Sequence, residues 1–308
     1  MTEYDATRDG HVHGVRPETD RRYLAVALGL VVAFLIFEVA AAFVGHSLTL
    51  LADAGHMLTD VGAIAASLIA ARLASRPPSE THTYGLKRAE ILAAAGNGIT
   101  LLVVSTLIVF EAIRRLIHPA DVHGALLIVV AIVGVAVNLA ATLALSRANR
   151  RSLNVEGAFQ HIVTDLYAFI GTAVAGVIIV ATGFERADPI ASLIVVVLMV
   201  RAAITLLRPA LRILVEATPE DVKIAEVRRH ILELSEVVSV HDLHAWTLTS
   251  GLPVLSAHVV LSDRCVSSGD AAQVLDRLQA CLAGHFDVEH STFQLEPIGH
   301  QEHETGLH

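Results

Sequence analysis

The sequence has little charge for its length. Charged residues make up 17% of the 308 residues, whereas an ordinary soluble domain carries about 25%. Together with six long apolar blocks, described below, this excludes a plain soluble enzyme and a disordered protein. The charge that is present is acidic on balance, with a formal net charge of -9. Because nucleic acid is bound by basic faces, the composition also argues against a nucleic-acid partner.

Cysteine and two common catalytic motifs are also scarce or absent. Two cysteines, Cys265 and Cys281, are too few for a disulfide framework, and we expect both to be reduced thiols in a cytosolic compartment. No GxxxxGK[ST] run is present to cradle the phosphates of a nucleotide, and no HExxH run to hold a hydrolytic zinc. The sequence thus offers neither an ATP-binding loop nor this zinc-hydrolase motif.

Apolar residues are abundant, at 54% of the chain, and mean hydropathy is +0.59. They fall in six blocks of roughly 20 residues, each able to cross a hydrocarbon layer of ~30 Å. We predict an α-helical membrane protein whose transmembrane domain covers 23–207. Its six transmembrane helices are expected at 23–44, 48–74, 89–113, 123–146, 154–182 and 189–207. The polar segment 1–22 is predicted to be an N-terminal tail rather than a secretory signal, since acidic residues precede a long apolar block.

Basic residues near the ends of these blocks predict the orientation in the lipid bilayer. They concentrate before the first block, between the second and third, between the fourth and fifth, and after the sixth. The opposite side has only Arg114, Arg115 and Arg186. By the positive-inside rule both termini are predicted to be cytoplasmic, in a bacterial-type inner or plasma membrane.

The acidic charge lies after the last block. Residues 209–308 carry a net charge of -9, and residues 1–208 carry a net charge of zero. Within the predicted cytoplasmic domain, 208–297, the pattern indicates a helix (219–234), two strands (237–249 and 252–262), a helix (269–284) and a strand (288–295). This order predicts a small α+β domain with helices on one face of a sheet, followed by a tail at 298–308.

Two of the apolar blocks contain the same polar pattern, His-x-x-x-Asp. It occurs as His56 and Asp60 in the second block and as His161 and Asp165 in the fifth. Residues four apart share one face of a helix, and ionisable residues inside a membrane are costly and commonly functional. If the two helices pack together, two imidazoles and two carboxylates converge. The alternative is that each pair hydrogen-bonds across helices as packing.

Two nitrogens and two oxygens in a tetrahedron suit Zn²⁺. Mg²⁺ and Ca²⁺ prefer oxygen shells of six or more ligands, and Cu⁺ prefers sulfur. Cobalt, cadmium, iron and nickel stay open, because affinity alone discriminates poorly among them. Of the other polar residues in the blocks, Glu38 and Asp53 either line an aqueous vestibule or shape the surroundings of the site, and Asn97 and Asn138 are expected to form interhelical hydrogen bonds.

Four motifs resemble the cation diffusion facilitator family of metal transporters. GHSLTLLADAGHMLTD at 45–60 is similar to its second-helix motif, and TYGLKRAE at 83–90 to its loop into the third helix. VHDLHAWTLTSG at 240–251 and HSTFQLE at 290–296 resemble its cytoplasmic domain. The resemblance runs from about residue 20 to 297.

The resemblance implies a homodimeric zinc/proton antiporter of the zinc-preferring branch, with a metallochaperone-like (ferredoxin-like) cytoplasmic domain. His56, Asp60, His161 and Asp165 would form the transport site. His241, His258, His290 and Glu296 match cytoplasmic metal ligands, which would make Zn²⁺ a regulatory ligand as well as the transported substrate. In the loop before the third helix, where some members bind a second metal, this sequence retains His82.

The expected mechanism is alternating access at a mid-membrane site. Metal binds deprotonated ligands, so loading releases protons and returning protons favour metal release. Imidazole titrates near neutrality, with an unperturbed pKa of about 6.5, which suits this exchange. Two alternatives belong to other classes: a membrane-embedded metal hydrolase, which needs an open metal position for water, and a metal sensor or receptor, which would move no metal.

Overall fold

The computed structural model describes residues 17–44, 48–118, 124–286, 288 and 290–303. Within these ranges, the side chains at 17–19, 44, 48–56, 124–126, 285 and 303 lie outside the described part. In the described residues, six helices are long and apolar enough to cross a membrane. The predicted six-helix architecture is confirmed.

These six helices extend beyond several of the predicted apolar blocks. Their bounds are α1 (Pro17–Val44), α2 (Leu48–Ala74), α3 (Ala89–Ile117), α4 (Gly124–Leu145), α5 (Leu153–Thr182) and α6 (Ala187–Leu214). Proline at the first position of α1 has the fixed φ that a helix start needs and gives up an N–H that would be unpaired there. The helices continue into polar sequence because a helix satisfies its own backbone hydrogen bonds on either side of the membrane boundary.

The helices form two packing groups that meet at α5. Helix α1 packs on α2 and α4, and α4 packs on α5, whereas α3 packs mainly on α6, which also contacts α5. The core of the first group is fully buried, with Leu24, Phe34, Ile64, Leu145 and Ile162 at its centre. Large apolar side chains on the outer faces are exposed. An apolar exterior of this kind is suited to contact with lipid.

A buried polar contact fixes the relation of α2 to α3 and α5. The Asn97 side-chain amide of α3 donates to the Ser67 hydroxyl of α2 over 2.9 Å. The Asn154 amide of α5 donates to the Ser67 carbonyl over 2.8 Å. All three residues are buried, where an unpaired polar group would be costly. These bonds therefore hold three helices in one register, and the interhelical bond expected of Asn97 is present.

Asn138 behaves differently from the prediction. Its side-chain amide donates to the Gly134 carbonyl one turn earlier in α4, over 3.0 Å. The expected interhelical bond is therefore replaced by a bond within one helix. Sequence spacing could not separate these outcomes, because an amide in a helix reaches either its own preceding turn or a neighbouring helix.

Gly134 allows α4 to approach an aromatic pair. A Cβ added at Gly134 would lie 2.5–2.8 Å from three ring atoms of Phe169 on α5. Phe169 in turn packs edge-on against Phe34 of α1, with ring centroids 5.2 Å apart. Because Gly134 has no side chain, α4 can approach the ring of Phe169 closely, and α1, α4 and α5 pack together there.

We expect Gly134→Ala to destabilise the protein by about 1–3 kcal/mol, because the new methyl overlaps a ring that is packed on its other side. The measurement is the apparent melting temperature in detergent, which should fall. Gly29→Ala is the matched control: it too is a helical glycine, but a Cβ there meets nothing within 4 Å. The control should melt at the wild-type temperature or slightly above it. Equal melting of both variants would contradict this account of the packing.

The C-terminal domain has the predicted order of elements. It consists of α7 (Ile224–Leu232), β1 (Val237–Thr249), β2 (Leu252–Leu261), α8 (Asp263–Ser268), α9 (Ala271–Phe286) and β3 (His290–Glu296), and a short 3-10 helix (His300–His303) follows. The sheet order is β1-β2-β3, with β1 and β2 antiparallel and β2 and β3 parallel. Helix α8 and the 3-10 helix were not predicted. The predicted α+β class is confirmed.

Strand alternation places one face of this sheet against α7 and α9. Leu255, Ala257 and Val259 of β2 recur every second residue and are buried, as a strand with one covered face requires. They pack in one cluster with Ile231 of α7 and Leu278 of α9. The domain therefore has its own hydrophobic core, separate from that of the helix bundle.

Several polar contacts join this domain to one end of the bundle. The Leu153 N–H at the start of α5 donates to the Ser250 hydroxyl over 3.1 Å. The Arg88 guanidinium before α3 lies 2.9 Å from the Glu216 carboxylate after α6. The turn between β1 and β2 thus sits beside the start of α5, which runs into the site described next.

Candidate metal centre

Three ionisable side chains meet between α2 and α5, inside the membrane-spanning region. Asp60, His161 and Asp165 each place a ligand atom within 4.8 Å of those of the other two. Their exposed fractions are 1%, 1% and 7%. The His161 Nε2 atom lies 2.7 Å from Asp60 Oδ1. Three of the four residues singled out by the His-x-x-x-Asp pattern are therefore brought together.

The local geometry follows from antiparallel packing of the two helices. Asp60 faces His161, and Ser67, seven residues later on α2, is bonded to Asn154, seven residues earlier on α5. Seven residues are about two helical turns, or roughly 10 Å. Two contacts at this separation fix both the register and the rotation of the helix pair. Asp165 joins the group because it follows His161 by one turn on the same face.

The group combines one imidazole with two carboxylates, all buried within the protein. Buried carboxylates are costly unless they are paired or coordinate a cation. Imidazole nitrogen and carboxylate oxygen are both ligands of Zn²⁺ and related divalent ions. The arrangement is therefore suited to holding a divalent cation.

Three further residues were predicted at or near this site, and the structure describes the side chain of one of them. His56 and Asp53 belong to α2, but their side chains lie outside the described part of the structure. Glu38 of α1 is fully buried, at 0% exposed. It is not a member of the three-residue group.

A second group of ligand-type side chains lies on the sheet of the C-terminal domain. His241, His258 and Glu296 each have a ligand atom within 4.8 Å of the other two. The His258 Nδ1 atom lies 2.8 Å from Glu296 Oε1, and His241 Nε2 lies 3.5 Å from Glu296 Oε2. Glu296 is 2% exposed, and both histidines are half-buried.

Strand register explains this second group. His241 on β1 is directly opposite His258 on β2, where facing side chains are neighbours. On the other side of β2, His258 pairs with Gln294 of β3, so Glu296 is its diagonal neighbour on the same face. One residue from each strand thus meets at one point of the sheet.

Asp242 was not predicted from the sequence to lie near this group. A register shift between His241 and His244 forms a bulge, and Asp242 adopts a left-handed φ of 49°. The Asp242 carboxylate lies 2.8 Å from His244 Nε2 and 3.7 Å from His258 Nε2. Aspartate tolerates this conformation better than most residues. Through this bulge, Asp242 and His244 extend the polar group along the sheet. Regular strand alternation does not predict this.

Two other predicted ligands lie apart from these groups. His290 is exposed at the start of β3, opposite Val254. It precedes Glu296 by six residues, about 20 Å along a strand, so the structure does not bring it to the other three. His82 is exposed in the loop between α2 and α3, where its Nδ1 atom lies 3.0 Å from the Thr81 hydroxyl.

The two cysteines are not part of either group. Cys265 is buried and Cys281 is half-buried. Burial raises the pKa of both thiols. Because the thiolate is the form that binds metal, a raised pKa disfavours both as ligands near neutral pH.

Six membrane-spanning helices that enclose buried imidazole and carboxylate groups define a multi-pass membrane protein with a polar site in its core. The family description "Cation efflux transmembrane domain" matches residues 24–215. A second, "Cation efflux protein, cytoplasmic domain", matches residues 219–298. The chain belongs to the cation efflux family, which is the cation diffusion facilitator class that its motifs resemble. It is a transporter rather than an enzyme.

Relatives with assigned names cover nearly the whole chain. A cadmium, cobalt and zinc/H(+)-K(+) antiporter of Bacillus velezensis is 35% identical over 300 residues, 97% of this chain and 95% of the relative. The zinc transporter ZitB of Escherichia coli is 37% identical over 289 residues, 93% of this chain and 91% of the relative. The metal cation efflux system protein CzcD of Cupriavidus metallidurans is 39% identical over 287 residues, 93% of this chain and 90% of the relative.

Proposed function

We propose that this protein exports Zn²⁺ from the cytoplasm in exchange for protons, by alternating access at the site formed by Asp60, His161 and Asp165. The observation that carries the proposal is the convergence of these buried groups between two antiparallel membrane helices. His56 would be the fourth ligand, since it precedes Asp60 by one helical turn in the sequence. Relatives named for zinc, cobalt and cadmium support a divalent cation as substrate, with Co²⁺ and Cd²⁺ as further candidates.

The chemistry of the donor set supports coupling to protons. The 2.7 Å contact between His161 Nε2 and Asp60 Oδ1 is available to a shared proton. A divalent cation would take both atoms as ligands and so displace that proton. Metal and proton would then compete for the same groups, which is the requirement for exchange. The relative named as an H(+)-K(+) antiporter is consistent with this scheme.

The orientation in the membrane is proposed from the distribution of basic residues. Both termini are proposed to be cytoplasmic, in a bacterial-type inner membrane, because basic residues cluster on the side of the bundle where this domain lies. Its net charge of -9 over residues 209–308 would concentrate cations near the cytoplasmic entrance.

The C-terminal domain is proposed to bind Zn²⁺ as a regulatory ligand and to support a homodimer. His241, His258 and Glu296 supply two nitrogens and one carboxylate at one point of the sheet. Metal bound there would favour whichever arrangement of the two domains best completes its coordination. The match of this domain to the cation efflux cytoplasmic family supports the assignment.

The test is zinc uptake into proteoliposomes that contain the purified full-length protein and a pH-sensitive dye. Zn²⁺ added outside should enter the lumen, and the internal dye should report protons moving in the opposite direction. Competition with Co²⁺ and Cd²⁺ ranks the substrates. Zinc binding without net uptake would favour the metal sensor, and uptake without proton movement would reject the exchange mechanism.

A further inference from the structure

A pocket of about 350 Å³ opens between α1 and α2, at the end of the bundle where the C-terminal domain is attached. No member of either group of ligand-type side chains lines it. Its lining comes from the first turns of α1 and the last turns of α2: Arg21, Arg22, Ala25, Leu68 and Arg72. Three of these five residues are arginines, and the other two are apolar.

Among the described residues, these three guanidinium groups have no acidic side chain in ion-pair contact. In the described part of the chain, no carboxylate lies within 4.0 Å of Arg21, Arg22 or Arg72. Asp20, next to them on α1, is buried and accepts the Asn149 N–H over 2.8 Å. Elsewhere on this side of the bundle arginines do have partners, as Arg150 has in Glu156 at 2.7 Å. The pocket therefore concentrates positive charge that no described carboxylate contacts.

The position of the pocket matches the membrane boundary. The apolar spans run over Asp20–Phe43 and Met57–Ala74, so the arginines lie within the terminal turns of both spans. Ala25 and Leu68, each about one helical turn further into its span than the arginines, are the apolar part of the lining. The apolar surface continues along the same helices through Val26 and Ile69, which are 46% and 58% exposed. The positive charge therefore lies at the level of the lipid headgroups, next to an apolar surface that acyl chains can contact.

We propose that this pocket binds an anionic phospholipid. Guanidinium groups donate paired hydrogen bonds to phosphate oxygens, and basic pockets between membrane helices on the cytoplasmic side recognise anionic headgroups. The acyl chains would lie along Val26 and Ile69. A single arginine at the end of a span is ordinary. Three arginines around one pocket that also has apolar lining residues could bind both the headgroup and the acyl chains of a lipid. This inference does not depend on the proposed transport function.

The test measures lipid binding to the full-length protein, purified in a nonionic detergent and freed of native lipid. Native mass spectrometry would count phosphatidylglycerol bound at increasing lipid concentration, with phosphatidylcholine as the zwitterionic comparison. Wild type should bind phosphatidylglycerol in preference to phosphatidylcholine. The triple variant Arg21→Gln, Arg22→Gln, Arg72→Gln should bind phosphatidylglycerol at least about tenfold more weakly.

The matched control removes the same charge from exposed arginines on the same side that do not line the pocket. It is the triple variant Arg147→Gln, Arg151→Gln, Arg208→Gln, and it should bind phosphatidylglycerol as wild type does. Equal weakening in both triple variants would mean general attraction to a basic surface and would overturn the site.

A second variant keeps the charge and fills the space. Ala25 is an exposed lining residue, so Ala25→Trp should fold normally and still weaken phosphatidylglycerol binding. Wild-type binding in Ala25→Trp would overturn the proposal. Displacement of the lipid by millimolar inorganic phosphate would identify a free-anion site instead. Lipid binding that appears only after deletion of residues 1–16 would mean that this segment takes the pocket, and would also overturn it.

Discussion

Replacing Asp165 by asparagine should abolish zinc uptake into proteoliposomes. The substitution keeps the size of the side chain but removes one of the two described carboxylates of the transmembrane group, and asparagine is a weak ligand for Zn²⁺. Loss of a residue that merely orients a metal ligand commonly costs 10–100-fold. Loss of a ligand itself should therefore reduce uptake by at least about 100-fold. His161→Gln should give the same result, because it removes the only described imidazole of the group.

The control for these variants is Tyr167→Phe. Tyr167 lies two residues after Asp165 on α5, and 48% of it is exposed on the outer face of the bundle. Tyr167→Phe should transport zinc at the wild-type rate, because it changes no side chain of the transmembrane group. Size-exclusion profiles of all three variants would show whether they are equally well folded. Uptake at the wild-type rate in folded Asp165→Asn would refute the transport site.

The full-length protein should lose one bound zinc per chain when Glu296 is replaced by glutamine. Glu296 contacts both histidines of the cytoplasmic group and is the only carboxylate among its three members. The measurement is zinc content after equilibrium dialysis, made in the Asp165→Asn background so that the transmembrane site does not contribute. The background chain should retain about one zinc, and added Glu296→Gln should weaken its binding at least about 100-fold.

His290→Ala is the matched control in the same background. His290 is an exposed histidine of the same strand, but its strand partner is Val254, far from the group. Its replacement should leave the zinc content unchanged. Loss of zinc in His290→Ala, with retention in Glu296→Gln, would move the site to the other end of β3 and reject the proposed ligand set.

The helices and strands could be predicted from the sequence because each depends on residues that are close together in the chain. A block of about 20 apolar residues is long enough to cross a membrane wherever it occurs, so the six helices were predictable without knowledge of their neighbours. Strand alternation in 237–249 and 252–262 was equally local. The missed helix α8 has six residues, Asp263–Ser268, which is too short for periodicity to distinguish it from a turn.

The sequence predicted which residues of the membrane site share a helix face, but not which faces pack together. The spacing of His161 and Asp165 places both on one face of a helix, and that relation depends on the backbone alone. Which face turns inward depends on packing between helices. The contact of His161 with Asp60 joins residues 101 positions apart, and the Ser67 bonds to Asn97 and Asn154 decide the rotation that permits it.

By itself, the sequence determined the number of membrane helices, the class of the C-terminal domain and the residue types available to hold a metal, because hydropathy and helical spacing act within a few residues. Only the tertiary structure decided which of those residues meet. The pairing of His241 with His258 and the diagonal place of Glu296 follow from strand register, and the bulge at Asp242 changes that register by one residue. Register and helix rotation are set by contacts between distant segments, which is why His290, chosen by resemblance, lies apart from the group.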